Sequence, residues 1–366
     1  MVTGLGIVAA EHVEEALAGK HSAPPDPTPE ITAFEVPEGA PAWGFEALNC
    51  SFEKELPNVK SFIDRTSGLA LVGAKYALAD AGLLERDVRP AGTEIGCAFG
   101  SAMGCLEAMS LFWNKVKTSN PKFAQPLVFT HGYANSPSSL MCIEYGLRGA
   151  SATFSGERLA GVEALMFAFD QIGSGSAEVI LAGASESLAA PVFNHLNATG
   201  ELSRTGKWDD GIVPGEGAVM LVLESRDFAL QRKARIYAEI EGINFFPLDP
   251  RSTVSPIQFA TEKRETLVFV STPNIGPKGG WPHPLISAEM TAATKYYSGD
   301  MLSVSPLLGA ALGAGVLGGR YGFAAPPNSR VLPTVAAAAN STAIQFAVAT
   351  GYEPSGTLGV VFMKKA

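Results

Sequence analysis

Histidine is scarce in this chain. There are five in 366 residues, and His283 is the only one beyond residue 195. Its setting, Trp281-Pro-His-Pro284, reads as a constrained loop, while His131 and His195 read as structural or interface residues. Little is left in the C-terminal half for general acid–base work by imidazole. Cysteine is scarce too. Cys50, Cys97, Cys105 and Cys142 show no metal-ligand or redox spacing, which argues against a zinc site and for reduced thiols in a cytoplasmic protein. Cys105 and Cys142 lie in apolar surroundings and read as packing residues. The longest apolar run, Pro306 to Gly319, is too short and too rich in Gly and Ala to span a membrane, so it reads as a buried helix. Met1 to Ile7 reads as a first strand rather than a signal peptide. Basic charge is in deficit: the net charge is −9, and no basic stripe interrupts it, which argues against nucleic acid as the partner. Arg232, Lys233 and Arg235 form one local patch, readable as a solvated helix end or as a docking point for an acidic protein.

The chain does have abundant apolar and small residues, 46% hydrophobic with 39 glycines. That is enough to bury a substantial core with close helix–sheet approach. Apolar strands alternate with helical stretches, which implies an α/β fold. Gly175-Ser-Ala-Glu-Val-Ile-Leu-Ala-Gly-Ala-Ser-Glu186 reads as a buried strand ending in small residues. Asp210-Gly-Ile-Val-Pro-Gly-Glu-Gly-Ala-Val-Met-Leu-Val-Leu-Glu224 reads as a glycine turn entering another strand. Ile63-Asp-Arg65 leads into the helical run Leu69 to Leu83, and Ala234 to Gly242 continues the pattern.

Taken in order, these four segments resemble the β-ketoacyl synthases of the thiolase superfamily, along most of residues 1–243 and again over 303–363. The resemblance implies a thiolase-like fold, two similar halves stacked as αβαβα layers. They divide into 1–243 and a shortened 244–366 that form one compact unit. The deficit against the family's usual length falls between 243 and 266. It also implies a nucleophile elbow in which a cysteine follows a strand and opens a buried helix, a setting that lowers the thiol pKa. The matching stretch is Gly156-Glu-Arg-Leu-Ala-Gly-Val-Glu-Ala164, which places Arg158 at the cysteine position; an offset of one residue places Glu157 there instead. Arginine stays protonated and is no nucleophile. At a helix N-terminus it opposes the macrodipole and calls for a carboxylate, supplied by Glu157, by Glu163 or by another chain.

The family's two catalytic histidines are also missing. The first follows a strand matched by Thr266 to Val270, where Ser271-Thr-Pro-Asn-Ile-Gly276 holds none. The second belongs to a Lys-x-x-x-Gly-His-x-x-Gly-Ala pattern, matched by Ser305 to Ala314 with Ser305 for lysine and Ala310 for histidine. A glycine-rich gating loop, expected near Ala349 to Pro354, is unrecognisable. The resemblance lies nearest to chain length factors, the ketosynthase-like subunits of type II polyketide synthases that lack the active cysteine. It implies no catalytic residue, metal or cofactor of the chain's own. The implied partners are an active ketosynthase, in a heterodimer, and an acyl carrier protein engaged mainly through that ketosynthase. Thr130, His131, Tyr133, Ala134 and Asn135, in the segment before the elbow, are expected to line the interface or the acyl tunnel, with Arg158. Such factors usually carry glutamine at the cysteine position, so Arg158 suggests a divergent branch, one making polyene chains. Two rival readings are a decarboxylase or acyltransferase using Ser155 or Cys105, and a purely stabilising scaffold.

Overall fold

The computed structural model describes residues 1–11, 13, 25–59, 62–85, 89–90, 92–119, 121–208, 210–247, 266–271, 290–321 and 344–366. The first sheet takes strands β1 (Val2–Val8), β2 (Ile95–Ser101), β3 (Ser151–Ser155), β4 (Val179–Glu186) and β5 (Gly217–Glu224) in the order β1-β5-β4-β2-β3. The second takes β6 (Glu239–Pro247), β7 (Thr266–Val270), β8 (Met290–Ala293), β9 (Phe346–Glu353) and β10 (Thr357–Lys364) in the order β6-β10-β9-β7-β8. Both orders run first, last, fourth, second, third, and in both the first two pairings along that order are antiparallel and the last two parallel. The two halves therefore share one topology that no stretch of sequence repeats. Residue 243 falls within β6.

Helix α1 (Arg65–Asp80) lies on the outer face of the first sheet, where its apolar side meets β1, β5 and β4. Asp64 caps it by accepting from Thr66 N (2.8 Å) and also takes Ala108 N (2.9 Å). Arg65 pairs with the buried Glu216, from Nε at 2.7 Å and from Nη2. The Asp-Arg pair of the sequence thus fixes the helix start to the turn before β5. Of the helices that follow, α2 (Leu106–Thr118) and α3 (Pro126–Thr130) pack against each other, and α4 (Ser136–Tyr145) lies beside α1 on the same face, tied to β3 by Ser138 Oγ and Thr153 Oγ1 at 2.8 Å.

The middle layer consists of α5 (Ala160–Gly173) and, beyond α6 (Ala190–Ala198) and the single turn α7 (Lys295–Ser298), of α8 (Ser305–Leu317). All thirteen residues of α8 are buried, as expected of a helix apolar all round and sandwiched between sheets. α5 touches β2 and β4 on one side and β6 and β10 on the other. Glycine permits that approach: a Cβ on Gly100 would collide with Ala160 O, and one on Gly161 with Ser303 O. The main core lies between the two sheets, and a second lies under α1. The outer helical layer expected over the second sheet lies outside the described residues.

Candidate functional site

The elbow forms where β3 ends at Ser155, the chain turns through 156–159, and α5 opens at Ala160. Arg158 sits in that turn with its side chain 8% exposed. Its carboxylate partners are neither Glu157 nor Glu163. Nη1 meets Asp300 Oδ2 at 2.6 Å and Nη2 meets Glu201 Oε2 at 3.0 Å. Glu201 lies 43 residues on within the same half, whereas Asp300 lies 142 residues on, and stacking of the two halves brings it in. Asp300, fully buried, also receives Lys295 Nζ at 2.8 Å and Leu302 N at 2.9 Å. Burial alone would raise the Asp300 carboxyl, but Arg158 and Lys295 overcome it and hold the group at about 2. Burial pulls the Lys295 amine down to about 8 against the pull of Asp300. Leu302 takes a left-handed φ of 48°, uncommon for a residue with a side chain, in the loop that carries Asp300.

Two further carboxylates lie near this turn. Glu353, at the end of β9, accepts from Leu159 N at 3.1 Å. It belongs to the segment aligned with the gating loop, here strand through Glu353. Glu186, at the end of β4, accepts from Met103 N and Ser101 Oγ (3.2 Å each), and from Ala102 N and Ser303 Oγ. Burial raises its carboxyl to about 7, with these donors opposing.

The second histidine position is packed rather than polar. Ser305 opens α8 and its Oγ accepts from Met301 N (2.9 Å), and Ala310 is buried one turn further in. Pro306 packs close to the elbow: a Cβ on Gly351 would lie 2.5 Å from Pro306 Cγ and 2.8 Å from Leu159 Cδ2. The stretch after Ser271 and the loop holding His283 lie outside the described residues.

Thr130 to Asn135 form the connection between α3 and α4. Thr130, Tyr133 and Asn135 are exposed, Ala134 is half-buried and His131 is buried, and Thr130 Oγ1 donates to Leu127 O at 2.8 Å. His131 packs edge-on to Phe62 at 6.0 Å, and its Nδ1 has no hydrogen-bond partner; burial lowers its pKa. Trp113, Phe112, Phe129 and Tyr133 stack in sequence, with centroids 4.9 to 5.7 Å apart. Trp113 and Tyr133 are about half exposed, as are Leu111 and Leu127 nearby. Arg158 makes its pairs elsewhere, so the structure does not join it to this segment. His195 is exposed in the last turn of α6.

Of the alternative nucleophiles, Cys105 is buried and its thiol is pushed well up by burial and by Asp64, while Ser155 is exposed at the end of β3. Cys142 is half-buried. The Cys97 thiol brings it down to about 7 by hydrogen bonding, a contact that spacing did not announce. In the basic patch, Arg232 is committed to Glu224 and to Ala81 O (2.8 Å), while Lys233 and Arg235 are exposed. Sequence reading missed Lys295, Asp300, Glu201 and Glu353. Among the described residues no group of three metal-ligating side chains comes together, and no helix is long and apolar enough to cross a membrane.

Residues 25–229 match the family described as β-ketoacyl synthase, N-terminal domain, and the chain belongs to that family. It is similar to the 3-oxoacyl-[acyl-carrier-protein] synthase 2 of Coxiella burnetii, 26% identical over 66% of this chain and 61% of that protein. It is also similar to the tetracenomycin polyketide synthase ketoacyl synthase alpha subunit of Streptomyces glaucescens, 26% identical over 70% of this chain and 67% of that one. These matches thus span about two-thirds or less of either relative. Among solved structures, the ishigamide ketosynthase/chain length factor superposes with a TM-score of 0.79 at 20% identity, covering 100% of this chain and 98% of that one. The thiolase-like fold follows from that likeness.

Proposed function

We propose that this chain is a non-catalytic, chain-length-factor-like subunit that pairs with an active ketosynthase and shapes the acyl tunnel at their interface. One observation carries the reading: the position that would hold the nucleophile is a buried arginine, locked to Asp300 at 2.6 Å. A guanidinium so held neither attacks a thioester nor gives up a proton. The surroundings agree. The N–H of Leu159 is taken by the chain's own Glu353. If the lysine–histidine pattern is set one turn earlier, Met301 and Pro306 occupy its two positions. Pro306 then faces the elbow as the histidine would, and neither register supplies a base. Cys105 is a poor alternative nucleophile, since burial disfavours its thiolate.

The partners follow from the kinds of protein the chain resembles: an active ketosynthase in a heterodimer, and an acyl carrier protein reached mainly through it. The half-exposed aromatic stack from Trp113 to Tyr133, next to Ala134 and Asn135, is the surface we assign to the tunnel and the partner. A monomer has little reason to expose such a patch. We take residues 1–243 and 244–366 as the two halves of one unit, acting in the cytoplasm on polyketide chains of the polyene type. The test is intact mass spectrometry of this chain, co-purified with its ketosynthase and incubated with acyl-loaded carrier protein. Acyl mass on the partner alone is expected. Acyl mass on this chain overturns the reading.

A further inference from the structure

The charges around Arg158 do not balance until the surface is reached. Arg158, Lys295 and Asp300 have side chains 8%, 6% and 0% exposed, and together they carry one positive charge too many. The missing negative charge comes from Glu201, whose side chain is 35% exposed. Glu201 is held there by Arg158 Nη2 at 3.0 Å and by Thr199 Oγ1 at 2.8 Å, and Thr199 is itself exposed. The two ends of the guanidinium are thus unequal. The inner bond to Asp300 is short and dry. The outer one faces water, where an ion pair contributes little and exchanges readily. Two buried hydroxyls without hydrogen-bond partners, Thr294 Oγ1 and Tyr297 Oη, flank Lys295 in the same short segment. Buried polar atoms are normally satisfied, so such orphans call for a water or a ligand.

We infer that Arg158 is a carboxylate-binding site, closed in this structure by Glu201, and that it receives the free carboxylate of a short acyl group. Asp300, itself held by Lys295, keeps the guanidinium in place from within, so no reorganisation is needed when Glu201 leaves. The planar fork of arginine suits a carboxylate. A neutral acyl group lacks the charge that the buried trio requires. The choice of ligand rests on the proposed function, in which this chain meets acyl groups on a carrier. Malonate, a short diacid whose second carboxylate stands in place of the thioester, is the probe. Either of two sources, a free diacid or a carrier-borne half-thioester, presents the same group. Malonyl-pantetheine binding at least as tightly as malonate identifies the carrier-borne source, and malonate alone identifies the free acid.

The experiment is calorimetric titration of the purified full-length chain with malonate, and with malonamide as the uncharged control. Glu201→Gln removes the internal competitor and keeps the shape. It is expected to bind malonate at least fivefold more tightly than the native chain, with no response to malonamide. Arg158→Gln added to Glu201→Gln is expected to abolish the gain. Thr199→Val, which only loosens Glu201, gives a smaller gain and serves if Glu201→Gln does not fold. Equal affinity in the native chain and both single variants overturns the inference, as does a gain that survives loss of Arg158. Acyl mass on this chain in the carrier experiment would sink the proposed function without touching malonate binding, so the two failures are distinguishable.

Discussion

Asp300→Asn is the most informative single substitution, because Asp300 is shared by two buried cations, Arg158 and Lys295. It preserves the shape, so Oδ1 can still accept from Leu302 N. It removes the charge opposite Arg158 Nη1 at 2.6 Å and Lys295 Nζ at 2.8 Å. Removing one partner of a buried pair costs about 3–5 kcal/mol, since the remaining charge is left uncompensated. An unfolding entropy of about 2.1 cal/mol/K per residue, over the whole chain, converts that into a fall in Tm of about 4–6 °C. Arg158→Gln should cost less, although it deletes the larger side chain. Asp300 would keep Lys295, and Glu201 would relax into water. The penalty of Asp300→Asn should also shrink at high pH. Lys295 already titrates at about 8 beside Asp300; without that carboxylate it sheds its proton still more easily, and by pH 9 it is neutral. Thermal unfolding of the two variants at pH 6.5 and pH 9 provides the assay. If Arg158→Gln costs as much as Asp300→Asn, or if the Asp300→Asn penalty ignores pH, the shared-anion account is wrong.

Three other outcomes are expected. Arg158→Cys should not restore acylation, because Glu353 holds Leu159 N (3.1 Å) and no histidine faces the turn among the described residues; acyl mass on the introduced thiol by mass spectrometry would refute this. Glu186, raised by burial from 4.5 to about 7, favours the folded state while protonated. That contribution is full below pH 4.5 and lost as the pH rises through 7, a change of about 3 kcal/mol at 1.36 kcal/mol per unit. Urea midpoints should fall over that window in the native chain, and Glu186→Gln should flatten that part of the profile; an unchanged slope refutes the assignment. Ala134→Trp, at a half-buried position beside the aromatic stack, should leave folding intact and shorten the product of the reconstituted heterodimer, read by mass spectrometry. Unchanged product length means the tunnel runs elsewhere.

What could be read from the sequence was local, and what could not was set by contacts between the halves. The strand at Val179–Glu186, the strand at Gly217–Glu224 and the wholly buried Ser305–Leu317 helix announce themselves, because apolar runs and glycine turns are encoded in neighbouring residues. The turn that holds Arg158 was equally legible, between a strand ending at Ser155 and a helix carrying Gly161 and Ala164. Even its need for a carboxylate was predictable from burial and the helix dipole. The identity of that carboxylate was not. Glu163 is five residues from Arg158, whereas Asp300 is 142 residues away, and stacking of the two sheets is what brings it there. The same holds for Glu353 on Leu159 N and Ser303 on Glu186, each joining a residue of the second half to a turn of the first. The repeat of strand order was hidden for the opposite reason, since topology is kept by hydrogen-bond register and apolar alternation, which many different residues satisfy. The turn that holds Arg158 is thus built from both halves: Arg158 and Glu201 come from the first, Lys295 and Asp300 from the second, and the pair that crosses between them is Arg158 with Asp300. An arginine buried in that turn requires an anion beside it, and Asp300 supplies one from the other half at 2.6 Å, so Arg158 is tied into the packing of the two sheets.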